Sequence, residues 1–163
     1  MTEVTDVFHQ LVDGIDYPMY VVTAAHGDER AGCLVGFTTQ ASIDPPRLLV
    51  LLSKQNETYR IALRSDVLVA HFLGENNRDL AALFGEQSGD WTDKFTKCTW
   101  HAGPSGVPVL EHVRGWVAGR VIERYDFGDH VGHLLEPIDA ADGSGRPPLG
   151  FQQVRALDPG HPA

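Results

Sequence analysis

The chain has 163 residues and a formal net charge of −9, with 42% apolar and 21% charged residues. These are the proportions of a soluble globular domain large enough to bury a real core. The acidic balance argues against nucleic acid or an anionic membrane as partner, although backbone amides and one local cation can still hold an anionic cofactor.

Two cysteines, Cys33 and Cys98, make no disulfide framework, and no apolar run approaches a membrane span. The opening MTEVTDVFHQLVDGID is acidic and amphipathic rather than a secretory signal, so the cytoplasm is the expected compartment. Within it, VFHQLVDGI has the spacing of a short helix stopped at Gly14. YPMYVVTAAHG and RAGCLVGFTT read as two strands joined at HGDERAG, with Cys33 as a small core residue. Pro45 and Pro46 bar a sheet interior but permit entry to the strand RLLVLLS.

NETYRIALRSD reads as a helix and VLVAHFL as a further strand. ENNRDLAALFGEQ places Leu80, Leu83 and Phe84 on one helical face, with Gly85 or Gly89 near its end. GWVAGRVIERYDFGDHVGHLLEPIDAA gives two strands around the turn DFGDH. PLGFQQVRAL supplies a last strand, and DPGHPA a loose tail. Seven short, mostly hairpin-linked strands with few helices predict a mainly β fold, a closed antiparallel barrel rather than a doubly wound sheet. Neither a repeat nor a linker divides residues 1–163, which are expected to form a single domain.

Several chemistries lack their motifs: there is no G-x-G-x-x-G, Walker loop, G-x-S-x-G or H-E-x-x-H. His130 and His133 have H-x-x-H spacing, which on a strand turns the rings to opposite faces and suits a metal poorly. The stretch Thr38, Thr39, Gln40 and Ser42 stands directly before one strand, and Asn56 and Thr58 directly after it. Such residues commonly cap strands and helices. Equally, a helix N-terminus beside a threonine hydroxyl and Lys54 is a ready phosphate site.

GCLVGFTTQASIDPPRLLVLLSKQNETY resembles the signature of the flavin reductase-like family, in which a small and polar run is followed by D-P-P, a strand and an S-x-T-type loop. VAHFLGENNRDLAALFG, DKFTKCTWHAGPSGVPVLEHVRGWVAGRV and YDFGDHVGHLLEPIDA continue the likeness in order, over about residues 12 to 155. The joint occurrence of D-P-P, G-V-P-V-L and G-D-H makes it specific.

The resemblance implies an antiparallel FMN-binding split barrel with peripheral helices. It sets Thr39, Gln40, Ala41 and Ser42, with Gly36, Phe37 and Thr38 before them, beside the isoalloxazine and ribityl chain. It sets Asn56 and Thr58, with Lys54 close by, at the flavin phosphate, and His130 near the flavin or the nicotinamide as the candidate catalytic residue. Gly36 stands where many members have Asn, Gln40 replaces the usual Ser, and Gly119 stands where Cys is common. The ending PLGFQQVRALDPG departs from the family's aromatic-rich pattern.

The residue types suit this chemistry. Hydride transfer is the cofactor's own work and needs no protein acid or base, and neutral donors such as Thr and Gln can meet charge developing near N1 and C2=O of a reduced flavin. The resemblance therefore implies a homodimeric, NAD(P)H-dependent reductase of FMN or FAD that supplies a monooxygenase or another acceptor. A flavin-binding protein without reductase turnover is the second reading. A small barrel used only for protein interaction is the third.

Overall fold

The computed structural model describes residues 2–86, 93–143 and 145–157. The tail 158–163 and Gly89, one of the two expected helix ends, lie outside them. The described residues form the helices α1 (Thr2–Asp13), α2 (Glu57–Ala62) and α3 (Arg78–Glu86). The strands are β1 (Tyr20–His26), β2 (Glu29–Val35), β3 (Thr38–Ser42), β4 (Arg47–Ser53), β5 (Val67–Phe72), β6 (Trp100–Ala102), β7 (Pro108–Leu110), β8 (Gly115–Asp126) and β9 (His130–Asp142).

Seven strands make one antiparallel sheet in the order β2-β1-β5-β8-β9-β4-β3, and β6 pairs with β7 in a second, small sheet. The edges of the large sheet, β2 and β3, are separated in sequence by Gly36 and Phe37 alone. So short a link spans at most about 11 Å, which requires the sheet to roll until its edges meet. The roll is closed by chain rather than by a ladder, because β2 and β3 do not pair. The closed barrel expected from hairpin counting is thus interrupted at this seam.

RAGCLVGFTT, expected as one strand, is two, and they lie at opposite edges. The break falls at Gly36, where a Cβ would run into the Tyr17 ring. PLGFQQVRAL is not a strand either. It makes isolated bridges through Pro148 to Gly74 and Gly150 to Pro18, then a 3-10 turn over Phe151–Gln153. Its apolar residues pack without alternating: Leu149 and Val154 are buried, and Phe151 is half-buried.

The core explains why β1 and β5 read as continuous apolar runs. Val22, Ala24, Leu68 and Ala70 face the interior of the roll, where Val50, Leu52 and Leu135 join them under Ile61 and Ala62 of α2. Val21 faces outward beneath Phe84 of α3, Phe95 and Leu110. Val67 and Val69 face outward beneath Val107 and Val109. Strands buried on both faces lose the polar alternation that would mark a solvent side.

Two hairpins set the ends of the roll. Gly27, at φ 59°, supplies the left-handed residue of the two-residue loop between β1 and β2. The β8–β9 turn carries His130 to the first position of β9, directly across from Ser53 at the end of β4.

Candidate functional site

The seam between β2 and β3 is also where four of the expected site residues meet. Leu51 N–H donates to the Phe37 carbonyl at 2.9 Å, holding the link against β4. A cleft of about 410 Å³ opens there, and Gly36, Phe37, Ser53, Asn56 and His130 all line it. Phe37 lies with its ring centroid 4.9 Å from that of His130 and 6.4 Å from that of Tyr17, and Tyr17 stacks on Phe151 at 4.7 Å. The result is an aromatic wall ending in an imidazole. Burial and the nearby carboxylates of Asp13 and Asp16 raise the Tyr17 pKa, so its phenol is a neutral member of that wall.

His130 Nδ1 lies 2.7 Å from Asp129 Oδ1. With a carboxylate as acceptor, the Nδ1 position carries the proton and Nε2 is left as the reactive nitrogen. The bond to His130 also holds the Asp129 carboxyl below its ordinary pKa. His133, two residues past Val131 on the same strand, is fully buried with Nδ1 3.1 Å from the Val131 carbonyl. The two histidines therefore occupy separate environments.

At its other end the cleft is lined by Asn56, whereas Thr58 and Thr38 lie outside its lining. Asn56 caps α2, its Oδ1 accepting from Thr58 N–H at 2.9 Å. The Thr58 hydroxyl is buried against the Cys33 thiol, with no partner at hydrogen-bonding geometry. Thr38, half-buried at the start of β3, has a second buried hydroxyl without a partner. Burial pushes the Cys33 thiol up to about 11, so it stays neutral and unreactive.

Lys54 is committed elsewhere. Its ammonium lies 2.8 and 3.0 Å from the two carboxylate oxygens of Asp126, and it lines none of the main clefts. Thr39, Gln40 and Ala41 stand exposed along β3, an edge strand, with half-buried Ser42 at its end. The side chains of Thr39 and Gln40 donate only to backbone carbonyls of their own strand, those of Gln40 and Ser42.

The model of the flavin reductase like domain matches residues 12–158. The chain belongs to the flavin reductase-like family. It is 26% identical over 138 residues to the FMN reductase (NADH) RutF of Pseudomonas syringae, covering 85% of this chain and 77% of that protein. It is also 26% identical over 161 residues to the reductase component of a flavin-dependent trigonelline monooxygenase of Acinetobacter baylyi, covering 96% of this chain and 48% of the relative. The chain spans about half the length of the first curated relatives it matches, 42% and 56% of them. Among solved structures, a flavin reductase domain protein from Arthrobacter superposes with a TM-score of 0.84 at 20% identity, covering 98% of this chain and 96% of that one.

Within this flavin reductase-like chain, the structure gathers Gly36, Phe37, Asn56 and His130 on one cleft and sends Thr39 to Ser42 away along the sheet edge. Sequence reasoning missed Tyr17, Phe151 and Arg155, which line the same cleft from both ends of the chain. No local pattern marks them, because only the fold brings residues 17 and 151 together. Ser53 could have been found, since it opens the very loop quoted for Asn56 and Thr58.

Proposed function

We propose that this chain is a flavin reductase that holds FMN or FAD in the cleft at the β2–β3 seam and oxidises NADH or NADPH. The observation that carries this is the convergence of Gly36, Phe37, Asn56 and His130 on one cleft, in a chain of this family. The residues present fit a flavin. An aromatic wall suits a planar ring, and the orphaned hydroxyls of Thr38 and Thr58 are donors without an internal acceptor.

A bound flavin supplies the acceptor for hydride, so the protein's tasks are to bind, orient and shield. Phe37, Tyr17 and Phe151 would hold a flavin ring against their aromatic wall and exclude water from it. Asn56 and Thr58, at the start of α2, would orient the phosphate, while Lys54 stays with Asp126. His130, its Nδ1 proton held by Asp129, offers Nε2 to the ligands as a hydrogen-bond acceptor, and as a donor once protonated. Thr38 begins β3, and Thr39, Gln40, Ala41 and Ser42 run from it along the open sheet edge, away from the cleft.

The exposed side of β3 supports assembly as a homodimer, because a second copy would wall the open flank of Thr39, Gln40 and Ala41. A flavin-dependent monooxygenase is the proposed recipient of reduced flavin, as the trigonelline relative's name indicates for that protein. No described helix is long and apolar enough to cross a membrane, and the proposed compartment is the cytoplasm. The test is consumption of NADH or NADPH by catalytic protein with excess free flavin. Flavin binding without consumption would instead mean a carrier or sensor.

A further inference from the structure

Residues 13–16 and 150–155 are tied together beside the aromatic wall, and one side chain makes most of the tie. Gln152 Nε2 donates to the Asp13 carbonyl at 3.1 Å and to the Ile15 carbonyl at 3.0 Å, partners 139 and 137 positions earlier in the chain. Its Oε1 accepts from Arg155 Nη1 at 2.7 Å, and its backbone N–H donates to Asp16 Oδ1 at 3.0 Å. Both ends of the Gln152 amide are therefore engaged. Arg155 adds an ion pair to the Asp13 carboxylate.

What this tie holds is α1. Glu3 to Asp13 are exposed throughout, Phe8 and Leu11 among them, so the helix does not rest in the core. The last carbonyls of a helix have no partner within it, and Asp13, the final residue of α1, receives its partner from Gln152. Where α1 leaves the barrel is set by this cap rather than by burial.

The same tie aligns the aromatic wall. Phe151, next to Gln152, donates its N–H to the Tyr17 carbonyl at 2.8 Å and stacks on the Tyr17 ring with the planes 14° apart. Only glycine fits at position 150, where a Cβ would come within 2.6 Å of Asp16 Oδ1. An opening of about 920 Å³ lies between α1 and this wall. Phe8, Val12 and Ile15 line it on one side, and Phe37, His130 and Phe151 on the other. Those last three line the seam cleft as well, whereas Phe8, Val12 and Ile15 do not. With a flavin in the seam cleft, the wide opening is the approach to its Phe37 and His130 end.

We propose that Gln152 is a positioning residue for the reductase reaction. By capping α1 and joining it to the Tyr17–Phe151 stack, it fixes the width of the opening through which the pyridine nucleotide reaches the flavin. It touches neither ligand and acts through α1 and Tyr17. The inference rests on the proposed flavin site.

The test is Gln152→Leu, which removes the amide at nearly constant volume, beside Gln152→Lys, which restores a donor for both carbonyls next to the Asp13 and Asp16 carboxylates. Gln152 belongs to none of the core clusters, so both variants should fold. Hydrogen exchange of the Phe151 and Gln152 amides reports the tie in the free protein. KM and kcat for NADH, with the FMN dissociation constant beside them, report the reaction. Gln152→Leu should speed exchange at least about tenfold and raise KM for NADH about five- to tenfold, with kcat and FMN affinity changing less. Gln152→Lys should return exchange and KM most of the way to wild type. Faster exchange with an unchanged KM makes Gln152 a structural link only and overturns the positioning role. Unchanged exchange in Gln152→Leu, or a KM raised equally by both variants, overturns it too. A wild type that oxidises no pyridine nucleotide, with exchange still faster in Gln152→Leu, refutes the proposed function and the positioning role together and leaves the tie standing.

Discussion

Lys54 reaches across to the β8–β9 turn and binds Asp126 with both carboxylate oxygens, at 2.8 and 3.0 Å. Its own N–H donates to the Asp129 carbonyl at 2.9 Å, and Asp126 Oδ1 accepts from Gly128 N–H at 3.0 Å. One residue therefore ties down both ends of the turn that delivers His130. Lys54→Met should lower turnover, by loosening that turn, while the ratio of FMN to riboflavin dissociation constants stays as in the wild type. A collapse of the ratio would mean that the ammonium leaves Asp126 for the flavin phosphate.

His130→Ala should lower turnover with the nicotinamide more than it lowers flavin affinity, because the imidazole forms one end of the cleft wall rather than its polar end. The measurements are kcat and KM for NADH beside the flavin dissociation constant. If folded His130→Ala turns over unchanged, the histidine only packs on Phe37 and closes the turn.

Much of this arrangement is legible in the sequence, and the reason is local. Asn56 announces an N-cap, the D-F-G-D-H turn announces a hairpin, and alternation or apolar runs announce β1, β4 and β5. The seam at Gly36 is not legible, because the clash that forbids a side chain there comes from Tyr17, which no short-range pattern links to it. PLGFQQVRAL failed for a similar reason. Its apolar residues are claimed by the cluster beneath α3, and tertiary packing overrode the strand-like spacing.

Acid should destabilise the fold through two buried histidines. His71 is fully buried, with Nδ1 2.8 Å from the Val21 carbonyl and Nε2 accepting from Leu110 N–H at 2.9 Å. Burial lowers its pKa to about 4, and burial with the Arg124 charge lowers that of His133 to about 4. Unfolded histidines titrate near 6.5, so between these values the unfolded state carries more protons. Stability is thus complete above about pH 6.5 and is lost as pH falls toward 4, by about 2 kcal/mol per histidine between roughly pH 7.5 and 5. Urea unfolding at both pH values measures the loss, and His71→Asn should halve the slope. A flat pH profile would show that neither ring stays neutral for this reason.

Sedimentation should report about twice the chain mass, since β3 leaves Thr39, Gln40 and Ala41 exposed on an unpaired edge. A stable monomer that binds flavin at full affinity would remove the need for a second copy.

Thr58 separates a structural from a ligand-binding hydroxyl in a single substitution. Its N–H is what Asn56 caps, and a valine keeps that N–H. Its hydroxyl is buried without a partner, so the free protein gains nothing from it and carries its desolvation cost, of order 1 kcal/mol. Thr58→Val should therefore unfold at the same or a higher urea concentration than the wild type. If the hydroxyl donates to a flavin phosphate, that bond to a charged acceptor contributes roughly 1.5–3 kcal/mol, or about ten- to a hundredfold in affinity. Riboflavin has the same ring without the phosphate and should bind almost unchanged. The decisive quantity is the ratio of FMN to riboflavin dissociation constants in the two proteins at fixed salt. A stabilised variant with an unchanged ratio would leave Thr58 as a core residue packed on Cys33 and move the phosphate away from α2.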